Sequence, residues 1–157
     1  MSDAASKRST THATFVIERT YAAATTRVFD AWSQPEAKAR WFVGPDAWKQ
    51  SDHTLDCRVG GREHVSGGPP GGPIHSYDAV YQDIVPNERI VFTYDMHMDD
   101  KRISVSVATI EFTPVGAGTR LVYTEQGVFL DGYDKTADRE HGTHDLLDKL
   151  ATALRNG

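Results

Sequence analysis

The chain predicts an α+β fold in which one long helix lies against a large, curved antiparallel sheet. Three observations carry this. Gly132–Leu154 is the only long run with helical periodicity, with Leu146, Leu147, Leu150 and Leu154 at spacings of three and four. Residues 53–129 alternate apolar and polar like strand. Short turn signals separate these alternating runs, so successive strands pair antiparallel. A helix of about 22 residues is roughly 33 Å long, the width of a small domain. Helix and sheet must bury their apolar sides together.

In order, Ala13–Tyr21 reads as the first strand, with Phe15, Ile17, Arg19 and Tyr21 on one face. Thr25 or Thr26 is the expected cap of a short helix that buries Val28, Phe29 and Trp32. Ser33 and Glu36 form a capping-box pattern with Pro35 in the first turn, which starts a second short helix ending near Trp41. Residues 46–52 are ambiguous. His53–Val59 is a strand with Leu55 and Cys57 on one face, and Gly60-Gly61 marks a tight turn or bulge. Arg62–Ser66, Ile74–Val85, Arg89–Met98, Lys101–Thr113 and Thr119–Phe129 are the remaining strands. The loop Gly67–Pro73 offers no side chains to pack and is expected to be the most mobile internal segment, a flap or a hairpin tip. Asp131 is the expected cap of the long helix. The sum is about seven strands, two short helices after the first strand, and one long C-terminal helix.

At 157 residues the expectation is one domain, residues 13–155, after a flexible N-terminal segment, residues 1–12. A chain of this length buries about 70% of its unfolded surface, enough for a full core. The net charge of -5 supplies no basic footprint, which argues against nucleic acid. The sequence shows no signal peptide and no apolar run near 18 residues, so no membrane insertion is expected. One cysteine, Cys57, excludes an intramolecular disulfide, and the expected compartment is the cytoplasm.

Several stretches together resemble the START-like (SRPBCC) superfamily, and within it the family named after the activator of the ninety-kilodalton heat-shock chaperone's ATPase. They are Arg19–Trp32 (RTYAAATTRVFDAW) followed by Pro35-Glu36 and Arg40-Trp41, Asp56–Gly61, Tyr81–Tyr94 (YQDIVPNERIVFTY), Ile110–Val128 and Gly142–Leu150. They run in family order over about residues 13–154. The resemblance implies the helix-grip fold. It transfers no catalytic residue, because the family shares none. Ala24 stands where the family usually has proline, Tyr94 replaces a usual tryptophan, and Thr143 replaces the tryptophan that normally follows Gly142. Two missing indoles between sheet and helix imply a differently shaped cavity.

A curved sheet closed by one helix is not filled everywhere by side chains, so an interior cavity is expected. Tyr81, Phe92, Tyr94, Met96, Tyr123, Glu125, Thr143 and Leu147 are its expected lining; plain core packing is the competing explanation. Glu125 shares the inward face with Leu121 and Tyr123. There it would be a desolvated carboxylate suited to acid–base work. The expected alternative is a strand end that meets solvent or an arginine. His141 and His144 lie three apart on the helix, but two histidines lack the ligand count of a metal site, so neither metal nor cofactor is expected. Cys57 reads as a small inward hydrophobe. The glycines at 67–72 have no following lysine and helix, so they form no phosphate loop.

The reading that follows is a binder of a small apolar or aromatic molecule. An enzyme of the cyclase, dehydratase or hydrolase kind is the second reading, with Glu125, His97 or Tyr94 as acid–base groups. A co-chaperone acting on a chaperone ATPase is the third. A homodimer is left open.

Overall fold

The computed structural model describes residues 8–156. One seven-stranded antiparallel sheet has the order β1-β7-β6-β5-β4-β3-β2. The strands are β1 (Thr10–Tyr21), β2 (Lys49–Leu55), β3 (Arg62–Gly68), β4 (His75–Val85), β5 (Arg89–Met98), β6 (Lys101–Val115) and β7 (Gly118–Leu130). Two short helices, α1 (Thr25–Ser33) and α2 (Pro35–Ala39), follow β1, and the long helix α3 (Thr136–Arg155) closes the chain. This is the helix-grip architecture.

Alternation predicts the inward faces well. Phe15, Ile17 and Tyr21 on β1, Tyr77, Ala79 and Tyr81 on β4, and Ile90, Phe92 and Tyr94 on β5 are all buried. They meet Leu147, Leu150 and Leu154 of α3 in one core, while Leu146 is half-buried. The turns also follow local chemistry. Asn87 and Asp99 sit at φ 65° and 54°, a left-handed conformation that short polar side chains tolerate. Gly61 is required sterically, because a Cβ there would run into the Asp56 carbonyl.

Several boundaries differ from expectation. β1 begins at Thr10, and Thr10–His12 pair with Leu130, Phe129 and Val128, so these residues belong to the sheet rather than to a flexible segment. Residues 1–7 lie outside the described residues. α3 starts at Thr136 rather than Gly132, because Asp131 and Gly132 take positive φ and form a turn. Asp131 caps nothing; its carboxylate accepts the Ser9 N–H at 2.9 Å and pairs with Arg8 at 3.0 Å. Neither Thr25 nor Thr26 caps the first short helix, and Ser33 does not cap the second; Ala24 and Gln34 hold those positions without side-chain bonds. The ambiguous residues 49–52 open β2, whose strand ends at Leu55 instead of Val59. Gly67 and Gly68 lie within the β3 ladder, paired to His75 and Lys49, which confines the loop to residues 69–74.

Candidate functional site

α3 does not lie flat on the sheet. Near its N-terminal half a cleft of about 1060 Å³ opens between helix and sheet. That is the upper end of small-molecule sites. Trp32, Trp41, Phe92, Tyr94, Tyr77 and Tyr123 form an aromatic floor. Tyr77 packs on Tyr94 with centroids 4.8 Å apart, and Trp32 lies 6.4 Å from Tyr123, nearly parallel at 25°. Val43, Gly44, Pro45, Asp46, Trp48 and Gln50 also line the cleft, and Trp48 stacks on His75 at 4.5 Å. Lys149 of α3 donates to the Gly44 carbonyl at 2.9 Å and ties this segment to the helix.

Of the expected lining residues, Phe92, Tyr94, Met96, Tyr123, Thr143 and Leu147 border the cleft. Tyr81 and Glu125 do not. Each belongs instead to a buried ionic cluster.

The first cluster is centred on Glu63. Lys38 of α2 is fully buried and donates to Glu63 Oε1 at 2.6 Å. Tyr81 donates to the same oxygen at 3.0 Å, and His53 Nε2 lies 2.9 Å from Oε2. The Lys38 ammonium also sits over the Phe42 ring at 4.3 Å. Burial pushes the Glu63 carboxyl up, but the adjacent Lys38 charge and the hydrogen bonds from His53 and Lys38 outweigh it and hold the group below its ordinary value of 4.5. Tyr81 shares the inward face of β4 with Tyr77, but its hydroxyl is engaged by Glu63 in this cluster. Cys57, half-buried against the core, has its thiol pushed up by burial.

The second cluster is centred on Glu125, which points inward as expected but does not line the cleft. The residue is only 1% exposed. Tyr94 donates to Oε2 at 2.7 Å, Ser106 to the same oxygen at 3.0 Å, and Tyr123 to Oε1 at 2.8 Å. Arg139 of α3 supplies the countercharge. It donates to Tyr94 Oη at 3.1 Å, Ser104 Oγ at 2.8 Å and Asp134 at 2.8 Å, and lies 3.5 Å from Glu125. Burial, then the Glu125 charge, push the Tyr94 hydroxyl well up despite Arg139, so it keeps its proton. An arginine is what the sequence offered as one partner for Glu125; the strand end does not reach solvent.

His97 does not join these groups. It is half-buried on β5 next to a bulge, with Asp95 at 3.8 Å. His141 is exposed and lies 3.5 Å from Asp145, and His144 Nδ1 lies 3.1 Å from Arg19. Among the described residues, no three His, Cys, Asp or Glu side chains gather as a metal site. Among those residues, too, no helix is long and apolar enough to cross a membrane.

Sequence reasoning missed Lys38, Glu63 and Arg139. Arg139 is the only one with a usable local signal: it precedes Thr143 by four on the face that continues into Leu147. Tyr77 was legible as inward but not as part of the cleft.

No curated protein matches this chain. Among solved structures, a putative uncharacterized protein from Rhizobium leguminosarum is 46% identical, with a TM-score of 0.92 over 96% of this chain and 99% of its own. The Mll3558 protein from Rhizobium loti is also 46% identical, with a TM-score of 0.86 over 93% and 99% of the two chains. Protein CV1439 from Chromobacterium violaceum is 27% identical, with a TM-score of 0.74 over 90% and 96%. The family model described as "Activator of Hsp90 ATPase homolog 1-like protein" matches residues 22–155. Sheet order, gripped helix and this match agree, and the chain belongs to the family of Activator of Hsp90 ATPase homolog 1-like proteins.

Proposed function

We propose that this protein binds a small apolar or aromatic molecule in the cleft between its sheet and α3, in the cytoplasm. The observation that carries the reading is the cleft itself: about 1060 Å³, with an aromatic floor. Apolar pockets with a few polar groups are the usual ligand sites of proteins. The free thiol of Cys57 fits a reducing compartment.

The convergence of Tyr94 and Glu125 favours a second reading, an acid–base enzyme. Against it, the one Tyr94 proton is donated to Glu125 at 2.7 Å, and Glu125 does not border the cleft. A substrate would have to break this bond before either group could act. Native mass spectrometry of protein purified gently from its own host tests the binding reading. A co-purifying mass of a few hundred daltons is expected; a bare protein that also fails to take up any neutral aromatic probe overturns it. The same spectra report the homodimer, and a pull-down tests the chaperone partner.

A further inference from the structure

An open sheet has two edge strands, and each edge offers unpaired backbone groups to another strand unless it is defended. Here the edges are β1 and β2, and they differ. β2 is 7 residues long, begins with Lys49, carries Asp52 and is bulged between Gln50 and Asp52. A short strand, charges and a bulge are the ordinary defences of an edge. β1 runs for 12 residues, holds neither proline nor lysine, and pairs with β7 without a register shift.

Two contacts fix the direction of its free groups. Asp131 donates its backbone N–H to the Ser9 carbonyl at 2.9 Å, and a Cβ at Gly118 would meet the Tyr21 carbonyl. The odd-numbered residues of β1 therefore bond toward β7. By the alternation of an antiparallel ladder, Thr10, His12, Thr14, Val16, Glu18 and Thr20 point their N–H and C=O groups away from it. Among the described residues, no backbone partner meets these outward groups. The same residues are exposed, Val16 at 58%.

We propose that β1 pairs antiparallel with β1 of a second copy, about a two-fold axis at Phe15, and joins the two sheets into one. Keeping both inward faces on the same side requires the axis to fall level with a residue, since a one-residue slip turns the apolar face over. With the axis at Phe15, Thr14 meets Val16 of the copy, His12 meets Glu18, and Thr10 meets Thr20. These are β-branched, imidazole–carboxylate and threonine pairs, the kinds that favour cross-strand contact, and no like charges stand opposite. An axis at Thr14 or at Val16 sets Glu18 opposite a threonine instead and leaves His12 without an acid. Charge complementarity thus selects both the occupant and the register.

Sedimentation of the full chain should show a monomer–dimer equilibrium; a monomer at submillimolar concentration overturns the proposal. Thr14→Pro deletes an outward N–H, which an edge strand tolerates, and should sediment as a monomer with an unchanged circular dichroism spectrum. Should that variant fail to fold, His12→Glu carries the test. It sets like charges opposite Glu18 twice per dimer and should weaken association about 2- to 30-fold. A dimer unaffected by His12→Glu places the interface elsewhere and overturns the pairing. Diamide cross-linking reads the register. A mixture of Thr14→Cys and Val16→Cys chains should form a covalent dimer that neither forms alone. Efficient cross-linking of either variant by itself moves the axis and overturns the register.

Discussion

The two ends of α3 continue one helical stripe and do opposite things. In the C-terminal half, Leu147, Leu150 and Leu154 sink into the core. Tyr21 donates to the Leu147 carbonyl at 3.0 Å, and Arg27 donates to the Leu154 carbonyl at 2.9 Å, so this half is pinned to β1 and α1. In the N-terminal half the same stripe carries Arg139 and Thr143. Thr143 turns its hydroxyl back on the Arg139 carbonyl at 2.9 Å, and Gly142 has nothing within 4 Å of where a Cβ would stand. Side-chain volume makes the difference. Leucines reach the sheet and fill the gap; threonine and glycine do not, and the helix stands off over the cleft. The arginine bridges that gap to Tyr94, Ser104 and Glu125, giving the open half a polar tether where the closed half has packing.

This contrast can be broken at several points. The largest effect is expected at the Lys38–Glu63 pair, where Lys38→Met leaves Glu63 buried without its cation. Breaking such a pair from one side costs about 3–5 kcal/mol, readable in a urea melt. The double variant Lys38→Met with Glu63→Gln should recover a substantial part, and failure to recover would mean that Lys38 acts through packing alone. The pair also fixes a pH dependence. Since the folded Glu63 carboxyl lies below 4.5, its contribution is fully present above that value and is lost as pH falls through the folded value. The acid limb of Tm against pH should therefore flatten in the double variant.

In the closed half, Leu150→Ala should cost about 2–5 kcal/mol, because Leu150 is completely buried. A loss below about half a kcal/mol, the size of an ordinary surface change, would show that this half is not the anchor. In the open half, Thr143→Trp should place an indole in the cleft. Binding of 2-ethylnaphthalene should weaken at nearly unchanged stability, whereas a loss of about 1–3 kcal/mol, the signature of overpacking, would mean that the space is already full. The smallest change is Gly142→Ala, which should raise stability by about 0.5–1 kcal/mol through helix propensity. An added methyl meets open space there. A destabilised Gly142→Ala would indicate that the helix closes onto the sheet in solution.

Much of the architecture was determined by the sequence alone, because period and turn chemistry are local. Alternation along β1, β4, β5 and β7 selects which side chains face inward, since a one-residue slip would turn every apolar group to water. The leucine spacing orients α3, and the turns after Val85 and Met98 are written in Asn87 and Asp99. The inward position of Phe92, Tyr94, Tyr123 and Leu147 follows from these periods. Only the tertiary structure decided what those residues meet. Lys38 and Glu63 belong to separate elements, and nothing local marks either as buried; each tolerates the interior only because the other is there. Glu125 reads as an inward acid beside Tyr123, and only the fold brings Tyr94, Ser106 and Arg139 to it from other elements. The cleft is likewise a difference between volumes supplied by distant segments, among them the unassigned stretch that carries Trp48. A local pattern specifies direction, whereas charge pairing and empty space depend on sums over the whole fold.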